Sequence, residues 1–320
     1  MVTVRRLAFI ESSAVFDDLN LRSPRQSDKS STSSLLRVFS GKSMPKVPSQ
    51  TTLPNTSLNS MLNKCRSRTG SAGVSSSNRV PGLICRLLHE LCSPRCANTE
   101  GLFRIPPSQQ RLRQLLQTIQ TSDFNENNFN FSDVPPNDLA ALFKHVVRSL
   151  SPTLLTSSLE HLFVLATSGL SGGPQPQGQS LSPEKTPAPP ANLLRERLRL
   201  LNLLILQLPD VHRDTLQLIL SCLYKLSSPS SHNRMSASSL AVVLTPLFFP
   251  TPPAVSDPDQ IHHQALTLQL LIMYADVLFV VPNQLLDQVR LHNTLLLQRD
   301  FVSRPKQNRK VAIVSVVLCS

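Results

Sequence analysis

Arg104 stands in Asn98-Thr-Glu-Gly-Leu-Phe-Arg-Ile-Pro-Pro-Ser108, a short stretch between two helical patterns and two residues before a proline pair. Leu112, Leu115, Leu116 and Ile119 follow at helical spacing, so the helix starts after the prolines and the residues before Pro106 form a loop. In such a loop Phe103 would anchor and Arg104 would project. A permanent cation on a projecting loop has two uses. It pairs with a nearby surface carboxylate, the commoner case, or it leaves the body of the protein to meet another molecule. Two more cations, Lys144 and Arg148, lie four residues apart on a helical pattern that buries Leu142, Phe143, Val146 and Val147. No acid at helical spacing offsets them, and like charges at that spacing cost an isolated helix only about 0.2 to 0.5 kcal/mol. The pair reads either as a solvated edge or as a cationic strip facing an acidic partner.

Other constellations are weaker. Cys85, His89, Cys92 and Cys96 have spacings that could hold zinc, but Pro94 interrupts them, and ordinary helix-end residues are the better reading. There is no Gly-rich phosphate loop, no Ser-His-Asp arrangement and no paired catalytic acids, so no nucleotide or metal is expected to be held by the chain itself. The six cysteines, without a secretory signal, are expected to be reduced thiols, and disulfides are not expected. Leu7 to Ile10 is too short for a signal-peptide core, and no run is long and apolar enough to span a membrane. Cys319 is second from the end and not in a prenylation position.

The elements that must position these residues read as helices. Hydrophobic residues make up 40% of the 320, aromatics only 5% with no Trp, and Gly is scarce at 9, which points to a core of Leu, Val and Ile and an all-α fold. Eight amphipathic segments carry the pattern: 80–91, 108–120, one that follows Pro135-Pro136-Asn137-Asp138 and carries Leu139 to Leu150, 194–208 ended by Pro209, 210–226, 235–244, 261–279 and 285–297. They form one helical domain over 80–300, with a Gly-, Pro-, Gln- and Ser-rich insertion at 168–192, a C-terminal helical extension and a flexible tail at 301–320. Residues 1–79 read as a disordered basic arm, Ser-rich from about residue 22, with Leu35-Leu36-Arg37-Val38-Phe39 as its one apolar island. Of the net charge of +12, +8 falls before Val80, from twelve basic and four acidic side chains. That arm suits an anionic membrane surface as well as a nucleic acid. It lacks interleaved aromatics, and no specific nucleic acid is expected.

Three blocks together resemble the RhoGAP family, the activators of Rho-type GTPases. Glu100-Gly-Leu-Phe-Arg104 is similar to the family's Gly-Ile-Phe-Arg finger loop, and Leu142-Phe-Lys144-His-Val-Val-Arg148 to its Lys-x-x-x-Arg helix. Asn233-Arg-Met-Ser-Ala237 with Leu240-Ala-Val-Val-Leu-Thr-Pro246 is similar to its Asn-Lys-Met...Leu-Ala-x-x-x-x-Pro helix. The likeness covers about 80–250. Beyond it, Asp276 to Pro282 followed by Val289-Arg-Leu-His292 is similar to the extension of the Rho GTPase-activating protein 19 subfamily.

The resemblance implies that Arg104 is inserted in trans into a GTP-bound Rho-family GTPase to stimulate hydrolysis, with Lys144, Arg148 and Ser239 in supporting, GTPase-facing positions. The partner would carry the GTP and Mg²⁺, and the chain would need no cofactor. It would complete its partner's active site and turn over nothing alone, in the cytoplasm or at the edge of a membrane. The chain departs from the family pattern at Ser239 and Leu247, where the family has Asn. It departs again at Leu150-Ser-Pro-Thr-Leu154 and at Pro106-Pro107. These departures keep a second expectation open, a RhoGAP-like binding or scaffold module with weak or no activation.

Overall fold

A computed structural model of the chain describes residues 2–19, 21, 56–58, 60–61, 80–121, 124–168, 170, 191–250 and 258–303, with side chains to residue 295 in the last helix. In chain order the helices are α1 (Val2–Asp18), α2 (Gly82–Leu91), α3 (Pro94–Ala97), α4 (Gln109–Gln120), α5 (Pro136–Arg148), α6 (Glu160–Thr167), α7 (Ala191–Gln207), α8 (Asp210–Ser227), α9 (Ser230–Asn233), α10 (Ala237–Phe248), α11 (Pro258–Met273) and α12 (Asn283–Ser303). Among the described residues there is no strand, only the isolated bridge between Thr56 and Leu150. Each of the eight expected helical patterns holds a helix, although the one expected over 261–279 stops at Met273 and continues as turns, so the all-α expectation holds.

Each helix that frames the site forms for a local reason. α2 starts behind Pro81 and buries Leu83, Ile84, Leu87, Leu88 and Leu91, a stripe recurring at three and four. α5 begins with Pro136 at a position where the missing N–H costs nothing, and it buries Leu139, Leu142, Phe143, Val146 and Val147. Pro209 separates α7 from α8, and Asp210 opens α8 with a charge suited to a helix N-terminus. α2 packs on α5 and α8, α4 on α5, and α10 on α5, α8 and α11. Burial of each Leu or Ile in these seams contributes about 1.5 to 3 kcal/mol before the entropy of ordering.

The structure corrects several expectations. The arm 1–79 is not unstructured at its start: α1 lies along α7 and touches α12. Ala8, Ser12, Val15 and Phe16 are buried, Arg5 pairs with Asp210, and Arg199 pairs with Glu11. Its inward face includes an alanine and a serine, while Phe9 and Ile10 point outward, which hides the helical period from a hydrophobicity count. Leu58, further along the arm, is also fully buried. The apolar island 35–39 lies outside the described residues, as does most of the 168–192 insertion, whose last two residues begin α7. The expected tail at 301–320 opens with the last residues of α12. The eight-residue α6 was not anticipated.

Cys92 and Cys222, expected as separate thiols, are joined as a disulfide. The cause is helix packing, since the residue just after α2 and one towards the end of α8 meet with Cα atoms 6.1 Å apart, inside the range a disulfide spans. No helix among the described residues is long and apolar enough to cross a membrane.

Candidate functional site

The loop carrying Arg104 is built by a sequence of small stops. α2 ends at Leu91, and Ser93 caps the one-turn α3, its hydroxyl facing the Cys96 amide at 3.5 Å. Arg95 ties that turn to its surroundings by donating to the Val134 carbonyl and to Glu90, each at 2.9 Å. The chain then tightens twice. Gly101 has φ +67° and Phe103 φ +71°, and the amides of Arg104 and Ile105 both donate to the Gly101 carbonyl, at 2.8 and 2.9 Å. Phe103 pays for its left-handed backbone through burial: it is 2% exposed and meets Phe143 edge-on with ring centroids 6.0 Å apart. Arg104, the next residue, is exposed, as are Ile105 and Pro106. Among the described residues its guanidinium forms no hydrogen bond or ion pair, so the local-carboxylate alternative has no partner here.

A Cβ on Gly101 would sit 2.9 Å from Ile105 Cγ1 and Cδ1 and 3.4 Å from Arg104 Nη2. Glycine is therefore needed twice at this position, for its positive φ and for the close return of the loop.

Lys144 reaches the loop directly, its Nζ donating to the Phe103 carbonyl at 2.8 Å. Burial, and secondarily the charge of Arg148, lowers its pKa from the usual lysine value. Arg148, one turn later at the end of α5, is exposed. The structure thus brings Arg104's loop and Lys144 together and leaves Arg148 beside Lys144. Ser239 is on α10, whose N-cap is Ser236. The Ser239 amide donates to the Ser236 hydroxyl at 3.2 Å and the two hydroxyls are 3.0 Å apart, so the side chain is engaged within its own helix start. On the same helix Val242 is 66% exposed and Pro246 is exposed, at spacings of three and seven from Ser239. Leu247 is buried, so it belongs to the core and not to this surface.

Two residues that sequence reasoning left without a role position the loop. Asn233 is 1% exposed. Its Nδ2 donates to the carbonyls of Ala97 and Leu226, its Oδ1 accepts from the Met235 amide, and its own carbonyl accepts from the Gly101 amide, all at 2.8 Å. It therefore fixes both the start and the tight point of the arginine loop. Its neighbour Arg234, at φ +54°, pairs with Glu100 at 3.0 Å, an exposed contact of small energetic weight. Asp138 lies inside the first turn of α5. Buried to 1%, it accepts from the Ser108 amide at 2.8 Å and from Arg111, so it holds the start of α4 against α5. The signal for both was an Asn or Asp at a helix boundary, but which helix it serves depends on tertiary packing.

Among the described residues no three His, Cys, Asp or Glu side chains gather in a way that could hold a metal ion. Cys85 and His89 line one cavity with Cys92, while Cys96 is buried on its own.

Comparison with known proteins agrees with this arrangement. The chain is 30% identical over 240 residues to Rho GTPase-activating protein 18 of Homo sapiens, which takes in 73% of this chain and 33% of that protein. It is 32% identical over 219 residues to Rho GTPase-activating protein 40 of Mus musculus, covering 67% and 29%. It is 30% identical over 200 residues to Rho GTPase-activating protein 19 of Xenopus laevis, covering 61% and 36%. These identities do not single out the type-19 relatives. The chain spans about a third of the length of the first two relatives. The crystal structure of human Rho GTPase activating protein 15 superposes over 68% of this chain and 90% of that one with a TM-score of 0.52 at 18% identity, a likeness of fold. The RhoGAP domain itself is matched over residues 81–253, more than half of the chain, and the protein belongs to that family.

Proposed function

We propose that the chain activates GTP hydrolysis by a Rho-family small GTPase, with Arg104 as the group inserted into the partner. The observation that carries this reading is the contrast between adjacent residues: Phe103 is locked in the core while Arg104 extends, unpaired, from a loop held at its base. Negative charge grows on the transferred phosphoryl group during hydrolysis. A guanidinium presented by a loop held at its base, and desolvated as it enters the partner, stabilises that charge with little reorganisation at the moment of reaction. A finger supplied in trans accelerates hydrolysis by roughly 10³ to 10⁵.

The supporting roles follow from where each side chain stands. Lys144 holds the Phe103 carbonyl, and with it the peptide that leads into Arg104. Arg148 is exposed and would meet an acidic group on the partner. Ser239, Val242 and Pro246 line the exposed face of α10 and would meet the same partner. The GTP and Mg²⁺ belong to the partner. With this reading goes a cytoplasmic setting, and the net charge of the arm supports approach to an anionic membrane surface.

A second reading, a binding module with little activation, draws on Ser239, whose short hydroxyl is already engaged with Ser236. Single-turnover GTP hydrolysis by RhoA-, Rac- and Cdc42-type GTPases, with and without the full chain, separates the two. Acceleration of at least one supports the activator, and binding without acceleration of any supports the module.

A further inference from the structure

Two connections run between the same pair of chain segments at the foot of the arginine loop. One is Asn233, whose Nδ2 joins the Ala97 carbonyl to the Leu226 carbonyl. The other is the Cys92–Cys222 pair. Ala97 follows Cys92 by five residues, and Leu226 follows Cys222 by four. The two connections are successive rungs between the α2–α3 segment and the end of α8, and the loop with Gly101 and Arg104 leaves directly from the upper rung.

The lower rung is accessible. Cys92 is partly exposed and, with Cys222, lines a cavity of about 580 Å³ between α2 and α8. His89, Lys225 and Asp214 line the same wall. The Cα separation of 6.1 Å lies inside the range a disulfide spans. Burial raises the thiols of Cys85 and Cys96 above the usual value, which disfavours their thiolates.

We propose that Cys92 and Cys222 form a redox-operated clasp at the base of the Arg104 loop, closed by a hydroperoxide and opened by a thiol reductant. The Cys92 thiolate attacks the peroxide. An S–O bond forms, the O–O bond breaks, and the alkoxide leaves as an alcohol after taking a proton. Cys222 then attacks the Cys92 sulfenic sulfur, forming the S–S bond and releasing the hydroxyl with the Cys222 proton as water. Two thiols and one hydroperoxide become one disulfide, one alcohol and one water. A thiol reductant reverses this by exchange and is itself oxidised to a disulfide. The covalent step stands apart from the GTPase reading. Only its consequence for activation rests on that reading.

The test uses the full chain, reduced and then titrated with hydrogen peroxide. Linked peptides are mapped by mass spectrometry, and the rate of tryptic cleavage after the exposed Arg104 reports how often the loop opens. The expected result is a Cys92–Cys222 peptide that appears with peroxide and disappears with reductant, with cleavage at Arg104 slowed roughly tenfold in the closed form. Cys92→Ser, at the partly exposed position, should remain folded, form no link, and be cleaved at Arg104 at the fast rate of the reduced chain whether or not peroxide is present. Cys222→Ala provides the second check. Peroxide that leaves both thiols open to alkylation, or a link that leaves Arg104 cleavage unchanged, overturns the proposal. GTP hydrolysis is followed in parallel: a clasp that forms and protects while hydrolysis stays unstimulated counts against the GTPase reading alone.

Discussion

The Lys144 ammonium donates to the Phe103 carbonyl at 2.8 Å, so one half-buried cation holds the peptide from which the second, Arg104, extends. The two charges therefore have different work, and substitution should separate them. A hydrogen bond from a charged donor is worth about 1.5 to 3 kcal/mol, and partial solvent access at Lys144 brings that toward the lower end. Lys144→Met keeps the aliphatic stem and loses the donor. It should lower single-turnover stimulation by about tenfold while the chain stays folded, and Lys144→Arg should recover part of the loss. Unchanged stimulation in the methionine variant would show that the carbonyl contact does not hold the loop.

Arg104 itself touches nothing that stabilises the fold, since it is exposed and unpaired among the described residues. Arg104→Ala should leave the unfolding free energy from urea titration within about 0.5 kcal/mol of the parent and reduce stimulation by about 10³ or more. Binding to the GTP-loaded partner should change little. Arg104→Lys should restore little, because an ammonium lacks the planar fork that meets two phosphate oxygens. A lysine variant with near-parent turnover would mean that charge alone suffices.

Much of this was legible in the sequence because the features are local. The Leu112, Leu116 and Ile119 stripe, the proline boundaries and the Phe103–Arg104 alternation all depend on residues within a turn or two of each other. What escaped depends on contacts distant in the chain. Asn233 reads as an ordinary residue before a helix until its four hydrogen bonds to Ala97, Gly101, Leu226 and Met235 are seen. Cys92 and Cys222 have no spacing that foretells their meeting, since packing of α2 on α8 brings them together. α1 escaped for a different reason: its buried face is built partly from Ala8 and Ser12, so the helix is amphipathic in shape more than in hydrophobicity.

His212 links stability to pH. It is 5% exposed at the start of α8, and its Nδ1 lies 3.0 Å from the carbonyl of Leu154, the last residue of the segment where the chain departs from the family pattern. Burial lowers its pKa below the usual histidine value, against the opposing pull of the Leu154 and Thr153 carbonyls. His145 is lowered too, by burial first and then by Arg148 and Lys144. A histidine whose folded pKa is depressed takes its proton more readily when unfolded. Stability is then full above the ordinary value of about 6.5 and declines as pH falls from there toward the folded pKa. The melting temperature should drop between about pH 7.5 and 5.5. His212→Gln should make that slope shallower even if it lowers stability at the upper end, and His145 should account for what remains. An unaltered slope in the glutamine variant would remove His212 from the explanation.

Asn233 offers the sharpest test of how the loop is held. Its side chain satisfies two carbonyls and one amide in a site 1% exposed, and alanine would leave those groups buried without partners. Each orphaned group costs about 1 to 3 kcal/mol, and relaxation recovers part of the sum. Asn233→Ala should therefore destabilise the chain by about 2 to 4 kcal/mol in urea unfolding. Asn233→Asp should be no better, because a carboxylate keeps the acceptor for Met235 and turns a repulsive oxygen toward Ala97 and Leu226. Gly101→Ala provides the matching change on the other side of the Gly101–Asn233 backbone bond. It meets a positive φ and the Ile105 side chain at 2.9 Å, so it should disturb the loop while costing the global fold less, about 1 to 2 kcal/mol. If Asn233→Ala unfolds at the parent's urea concentration, the hydrogen bonds at the foot of the loop are not what fixes it, and the positioning assigned to Asn233 is wrong.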